Sequence, residues 1–286
     1  METISIWTWN VNGIRRNVNN VNDILKKYNI DILLITETKI REANELNIQE
    51  KINKDYNCIW NTNKKSFHHG ILIIYKNNII NGGILYNKLP ITNSKIYSTI
   101  NETDNFIDLD IANTAHNDEG RILVIKFLKV NFKFVLVGVY VPNSGVDRNC
   151  PLRRLSYRVN CWDPDLFDLC NKLSKEYGNI ILLGDLNVAR LDNDLPLTKH
   201  RVFAGITPSE RSSFNNFLGK YWIDTFHYSN PDKKNIGERY TQCGYYKLRL
   251  DYIVCSSQLK NNIYKSIIIH DQLGSDHIPI GTVFKC

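Results

Sequence analysis

One recurring join most constrains the fold: an apolar run of strand length that meets a short polar knot. Ile180-Ile181-Leu182-Leu183 runs into Gly184-Asp185-Leu186-Asn187, and Gly274-Ser275-Asp276-His277 opens onto Ile278-Pro279-Ile280. Thr3 to Trp9 alternates Ile4, Ile6 and Thr8 with Ser5, Trp7 and Trp9, then meets Asn10-Val11-Asn12-Gly13. Asp31 to Thr36 holds Ile-Leu-Leu-Ile at its centre and ends at Glu37. Short apolar runs bounded by turn residues read as buried strands. Further strands are predicted over Gly70 to Tyr75, Ile122 to Phe127, Phe132 to Tyr140 and Leu250 to Cys255, the second and third pairing antiparallel across a short turn.

Helical spacing appears between these runs. Val18, Val21, Ile24 and Leu25 predict a helix from about Asn17 to Tyr28. Leu166 to Tyr177 and Pro208 to Leu218 read as helices too, with Thr207 as N-cap and Pro208 in the first turn. Strands alternating with helices, plus an antiparallel pair, predict an α/β fold of two mixed sheets packed face to face with helices outside. No linker rich in Pro, Gly or Ser and no internal repeat divides the chain, so residues 1–286 are expected to form one domain.

Composition narrows the function classes. At 43% hydrophobic and 23% charged, the chain is an ordinary globular one. Lys and Arg exceed Asp and Glu by 36 − 29 = 7, which suits an anionic partner such as nucleic acid, although Asn, Lys and Ile are abundant throughout. Seven cysteines at irregular spacing contain no Cys-x-x-Cys pair, which argues against zinc and for free thiols in a reducing compartment. No signal-peptide pattern precedes the first strand and no apolar run is long enough to span a membrane, so an intracellular protein with no membrane partner is expected, in nucleus or cytoplasm.

Polar groups recur where strands end: Asn10, Asn12, Glu37, Tyr140, Asn143, Asp185, Asn187, Asp251, Asp276 and His277. Singly, each is an ordinary turn former, strand end or structural histidine. Together they gather carboxylates, amides and one imidazole on one rim. Magnesium takes oxygen ligands and keeps several waters, so one or two carboxylates suffice to hold it, and Glu37 is the first choice. Such a metal stabilises charge on a phosphate ester. A nucleophilic water needs a base: Asp185, or His277 with its tautomer fixed by Asp251. Asn187 and Tyr140 can donate to phosphate oxygens as charge develops.

These residues stand in an ordered set of motifs: Trp9-Asn10-Val11-Asn12-Gly13-Ile14-Arg15, Thr36-Glu37-Thr38-Lys39, Glu119-Gly120-Arg121, Tyr140-Val141-Pro142-Asn143-Ser144-Gly145 and Arg154-Leu155-Ser156-Tyr157-Arg158. Gly184-Asp185-Leu186-Asn187-Val188-Ala189, Ala204 to Arg211, Arg249-Leu250-Asp251-Tyr252 and Gly274-Ser275-Asp276-His277 complete it. The set resembles the exonuclease III family of apurinic/apyrimidinic (AP) endonucleases, within the endonuclease/exonuclease/phosphatase superfamily, over nearly the whole chain.

The resemblance implies a four-layered α/β sandwich and a Mg2+-dependent DNA phosphodiesterase, with Mn2+ as the alternative ion. It implies incision 5′ to abasic sites in double-stranded DNA, with 3′-end processing and 3′→5′ exonuclease activity, by a monomer. Glu37 would bind metal with Asn12 and Asp276 close to it and Asn10 in support. Asp185 would orient or deprotonate water, Asn187 and Tyr140 would stabilise the transition state, and His277 with Asp251 would contact the phosphate or act as base. Asn143 would touch phosphate, and Arg15, Lys39, Arg121, Arg148, Arg153 and Arg158 are candidate DNA contacts. Leu248 and Leu250 fall where the family walls a small pocket for a flipped-out sugar.

The departures are specific. Asn12 stands where many members have Asp, Gln242 where many have an aromatic, and Leu248 where many have Trp; Tyr245 or Tyr246 is available to supply a ring. No Arg follows Gly145 directly. The alternatives are a 3′-repair exonuclease or another phosphodiesterase of the superfamily without abasic-site preference, and a DNA-binding protein without catalysis. The joint retention of Glu37, Asp185, Asn187, Asp251 and His277 argues against the last.

Overall fold

The computed structural model describes residues 2–62, 69–90, 119–129, 132–145, 152–195, 202–244 and 246–286. The strands are β1 (Thr3–Asn10), β2 (Ile32–Thr36), β3 (Tyr56–Asn61), β4 (Ile71–Lys76), β5 (Ile80–Tyr86), β6 (Ile122–Lys129), β7 (Phe132–Tyr140), β8 (Ile180–Asp185), β9 (Trp222–Asp224), β10 (Asp251–Ser256), β11 (Ile263–Ile268) and β12 (Ile280–Lys285). The helices are α1 (Ile14–Lys27), α2 (Glu45–Gln49), α3 (Leu155–Tyr157), α4 (Asp163–Tyr177), α5 (Pro208–Leu218) and α6 (Thr225–Ser229), with a π-turn over Arg158–Trp162 joining α3 to α4. No helix among the described residues is long and apolar enough to cross a membrane.

The strands form two sheets, ordered β11-β12-β1-β2-β4-β3 and β5-β6-β7-β8-β10-β9. Each sheet has one parallel pair at its centre, β1 with β2 and β7 with β8, and antiparallel neighbours on both sides. A parallel pair needs a crossover, and α1 and the α3–α4 run supply the two. Both pairs therefore end their strands on one rim, where Asn10, Glu37, Tyr140 and Asp185 lie. The predicted antiparallel pairing of β6 with β7 is present, with Ile122 opposite Val139.

Alternation along the strands builds the layers. Ile4, Ile6, Ile32 and Leu34 face the second sheet and meet Leu123, Ile125, Leu136, Ile181 and Leu183. Their neighbours Trp7, Trp9, Leu33 and Ile35 face outward onto Val18, Val21, Ile24 and Leu25 of α1. Across the molecule, Val135, Val137, Ile180 and Leu182 pack outward against Trp162, Leu166, Leu169, Phe214 and Phe217 of the helical layer. The result is helix, sheet, sheet, helix: the expected four-layered α/β sandwich.

Local signals explain the ends. Thr207 caps α5 in a capping box: its hydroxyl accepts from the Glu210 N–H, and Glu210 accepts from the Thr207 N–H. Gly184, at φ 137°, carries no Cβ where one would lie 1.8 Å from the Val139 carbonyl oxygen, so β8 closes on β7 just before Asp185.

Candidate active site

Register fixes the site. Asp185 is the Cα partner of Tyr140 on one side and of Asp251 on the other, and Asn10 is opposite Thr36, one residue before Glu37. Asn10 joins the two sheets: its amide nitrogen donates to Glu37 Oε1 at 2.9 Å and to Asp185 Oδ2 at 3.0 Å, while its oxygen accepts from the Asn12 N–H. Asn10 thus presents N–H groups to the two carboxylates, and its oxygen is already used. Tyr140 donates to Glu37 Oε1 at 2.8 Å. Lys39 sits between Glu37 Oε2 at 2.8 Å and Asn12 Oδ1 at 2.5 Å, and Asn12 donates to Asp276 Oδ1 at 2.9 Å.

The backbone is bent to achieve this. Asn12, Glu37, Lys39 and Asn187 have φ between 47° and 52°. For a non-glycine residue that costs about 1–2 kcal/mol each, and such strain concentrates at functional sites. The Gly70 and His69 carbonyls hold the Glu37 turn by accepting from the Thr38 and Lys39 N–H groups.

The second half of the site is an imidazole between carboxylates. His277 Nδ1 donates to Asp251 Oδ2 at 2.7 Å, which leaves Nε2 for a substrate. Thr241 Oγ1 accepts from the Asp251 N–H, and Ser275 Oγ accepts from the His277 N–H while donating to the Asn10 carbonyl. Sequence reasoning missed Thr241. Ser275 lay inside a quoted motif without a role. Asp185 Oδ1 accepts from the Asn187 N–H; Asn187 in turn donates to the Val141 carbonyl and accepts from Asn143.

Charge follows this geometry. Burial opposes ionisation of Glu37, but donation from Asn10, Lys39 and Tyr140 outweighs it and holds the carboxyl below its usual range. Burial, then Glu37, pushes the Tyr140 phenol well above its ordinary value, so it stays a donor. Burial, then the Asp251 charge, raises Asp185 to about 7. Burial disfavours a charged His277, yet Asp251, Asp185 and Asp276 together raise it to about 10. The folded state therefore holds a proton that the unfolded chain releases near its ordinary value. Stability from this pair is complete below about 6.5 and is lost as pH rises through about 10. Histidine NMR should find His277 titrating at about 10 in the wild type and lower in Asp251→Asn; an unchanged titration would remove Asp251 as the cause.

The donor set suits a hard cation. Glu37, Asn12 and Asp276 offer oxygens, and a cation, the Lys39 ammonium, already bridges two of them. Asp185, Asp251 and His277 form a second candidate group, with ligand atoms within 4.8 Å of one another. Among the described residues, Asp251 Oδ1 is buried without a hydrogen-bond partner there.

Several basic candidates take other places. Arg121 is buried: it pairs with Glu119, donates to the Tyr140 carbonyl and lies 4.7 Å from the Tyr140 ring centroid. Arg158 is buried too, bonding Asp163 and the Leu186 and Pro142 carbonyls. Both are buried in the scaffold, with most of their guanidinium N–H groups turned to partners inside the protein rather than to the surface where a phosphate would lie. Arg15 is exposed on the first turn of α1, Arg153 lies in the turn before α3, and Arg148 falls outside the described residues. Beside Asn143 and Asn187 opens a cavity of about 200 Å³ walled by Leu248, Leu250, Phe203 and Tyr246.

Comparison with known proteins agrees with this geometry. Residues 7–277 match the Endonuclease/Exonuclease/phosphatase family. The chain is 32% identical to a DNA-(apurinic or apyrimidinic site) endonuclease of Dictyostelium discoideum, over 98% of this chain and 70% of that one. It is 30% identical to an exodeoxyribonuclease of Bacillus subtilis, over 97% and 98%. Its fold is similar to that of an AP endonuclease from Leishmania major, with a TM-score of 0.77 at 23% identity over 99% of this chain and 88% of the other. A 3′-5′ exonuclease from Neisseria meningitidis superposes with a TM-score of 0.74 at 20% identity, over 99% and 100%. Site geometry, fold and sequence agree: the chain belongs to the endonuclease/exonuclease/phosphatase family, among its AP endonuclease and exodeoxyribonuclease members.

Proposed function

We propose that this protein is a metal-dependent nuclease of base excision repair that incises double-stranded DNA 5′ to abasic sites. The observation that carries the reading is one rim holding a carboxylate–amide cluster, a carboxylate–imidazole pair and a small apolar-walled cavity side by side. Glu37, with Asn12 and Asp276, would hold Mg2+, and Mn2+ shares its preference for oxygen. The bound ion supplies charge neutralisation of the phosphate and of the leaving oxygen.

The chain's own residues divide the remaining work. Asp185, raised to about 7, is matched to accept a proton from the attacking water near neutral pH. The water oxygen bonds to phosphorus as the P–O3′ bond breaks on the far side, and the departing O3′ takes a proton from solvent to leave as a hydroxyl. His277 remains protonated and donates from Nε2 to a non-bridging oxygen, which favours the phosphate contact over the base role for this residue. Tyr140 and Asn10 hold Glu37 in place. Leu248 and Leu250 would wall the extruded sugar, with Asn143 and Asn187 at the cavity's polar side. Arg15 and Lys39, with the chain's net charge of +7, support binding to the DNA backbone.

The test is cleavage of a duplex with one tetrahydrofuran abasic analogue against an undamaged control, with magnesium or with chelator. Lesion-specific, magnesium-dependent nicking on the 5′ side is expected. Digestion from 3′ ends with no lesion-specific nick would favour the second reading, a 3′-end-processing exonuclease, which likeness to the Bacillus exodeoxyribonuclease supports. A folded protein that does neither would sink both.

A further inference from the structure

At the end of the sheets away from the catalytic rim, three tyrosines stand out into solvent: Tyr221, Tyr264 and Tyr228, 73%, 59% and 44% exposed. Local structure brings them to one corner. The Ser257 N–H, at the start of the 3₁₀ turn Ser257–Asn262, donates to the Tyr221 carbonyl, and Asn262 at its end donates to the Lys285 carbonyl. Asn230, after α6, donates to the Ser266 carbonyl of β11. The register of β11 on β12 slips between Ile263 and Lys265, so Tyr264 is the extra residue of a bulge, and Tyr264 and Lys265 both face solvent. Two of the rings have a lysine over them: Lys260 Nζ lies 5.6 Å from the Tyr228 centroid and Lys285 Nζ 5.5 Å from that of Tyr264. Other lysines at this end are neutralised, since Lys76 and Lys129 both pair with Asp31. Among the described residues, Lys260, Lys265 and Lys285 pair with no carboxylate.

We infer that this corner is a second nucleic-acid surface, one that holds single-stranded DNA apart from the catalytic rim. The inference rests on the reading of the chain as a DNA nuclease and adds a contact remote from its chemistry. The corner lies where β12 ends beside Thr3. Asn10, at the rim, is the other end of β1, roughly 23 Å away at the rise of a strand. A nucleotide held here is therefore not the one being cut. The corner offers rings and ammonium groups in pairs, as a strand offers a base and a phosphate in each nucleotide. Surfaces for single strands combine these two groups, because phosphates attract cations and unstacked bases present a face to an aromatic ring. A duplex keeps its bases stacked and would leave the tyrosines without a partner, and an acidic peptide would use the lysines alone. A bulge and a lysine suffice to protect an edge strand from pairing; an exposed Tyr264 adds nothing to that task.

The experiment follows the fluorescence anisotropy of a labelled short oligothymidylate, in chelator, on protein saturated with an unlabelled tetrahydrofuran duplex. The oligothymidylate should bind alongside the duplex. Tyr228→Ala and Tyr264→Ala should each weaken its binding roughly tenfold, the scale of one base–ring stack. Lys260→Gln, Lys265→Gln and Lys285→Gln together should reduce the slope of log affinity against log salt by about 2, at roughly 0.7 for each phosphate contact on a single strand. Thermal melts identify folded variants, and the lysine variant carries the test should an alanine variant unfold. An oligothymidylate displaced by the duplex would be a rim ligand and would overturn the inference. Wild-type affinity and slope in the folded variants would overturn it too, as would tighter binding of an oligouridylate. The two readings fail separately, because nicking of the duplex in magnesium should be equal in wild type and variants. A wild type that nicks but binds no oligothymidylate removes only this inference. One that does not nick, yet binds oligothymidylate through these tyrosines, removes only the abasic-site reading.

Discussion

Asp185→Asn is expected to lower single-turnover nicking of a tetrahydrofuran duplex by roughly 10²- to 10⁴-fold, the range that general-base catalysis contributes, while DNA affinity stays close to wild type. Two things change at once. The water loses its acceptor, because an amide takes no proton near neutral pH. The Asn10 link also suffers: Asn10 now donates to Asp185 Oδ2 at 3.0 Å, whereas an amide whose oxygen still accepts from the Asn187 N–H turns NH2 toward NH2. Glu37 keeps Tyr140 and Lys39 as partners in that variant, so the oxygen cluster remains assembled. Glu37→Gln separates the two halves, because it should shift the magnesium requirement and leave Asp185 intact. Wild-type turnover in folded Asp185→Asn would end the assignment of Asp185 as base.

The parts of this site that could be read from the sequence are those whose residue type matches their place. Asn10, Asp185 and Asn187 follow apolar runs, and such residues accept strand-end conformations; Asn12 and Asn187 even favour the left-handed region they occupy. Glu37 is legible as the residue that ends its apolar run, but the backbone conformation of Glu37 and Lys39 is not. Nothing in Thr36-Glu37-Thr38-Lys39 announces two positive φ values, which the Gly70 and His69 carbonyls impose from a distant segment. Edge strands were hidden for a different reason. β5 carries Gly82 and Gly83 and is exposed along most of its length, β3 is only half-buried and β9 has three residues, so none shows a sustained apolar period. Helix starts were read late, since α1 begins at Ile14, before its first clear turn of apolar residues. The buried arginines are hidden for another reason: Glu119 and Asp163 lie close to Arg121 and Arg158 in sequence, but the Tyr140, Pro142 and Leu186 carbonyls that complete their burial come from other elements and close around them only in the fold.

Asp224→Ala is expected to destabilise the protein by about 3–5 kcal/mol, the cost of breaking a buried ion pair from one side. Asp224 grips the fully buried Arg249 with both oxygens, at 2.8 and 2.5 Å, accepts from Arg190 at 3.3 Å and caps α6 through the His227 N–H. Arg249 also lies 3.7 Å from Asp194, which Arg239 already engages at 2.6 Å, and its guanidinium is 4.3 Å from the Tyr252 ring centroid. Without Asp224, that charge stays in the interior with one shared carboxylate. The melting temperature should fall by roughly 10 °C for a chain of this size. Replacing the pair together, Asp224→Leu with Arg249→Met, should recover part of the loss, because the uncompensated charge goes with it. The pH dependence has a definite sign. Burial opposes ionisation of Asp224, but Arg249 and Arg190 outweigh it and hold the carboxyl well below its usual range. Its contribution is present above about 3.9 and lost as pH falls through the folded value, so the gap between wild type and variant should narrow on acidification. Arg249 also stands between Leu248 and Leu250 and two residues before Asp251. Loosening it should move the cavity wall and the His277 partner together, so nicking in Asp224→Ala should fail at a lower temperature than global unfolding. Equal melting temperatures for wild type and Asp224→Ala would show that Asp194 alone satisfies Arg249.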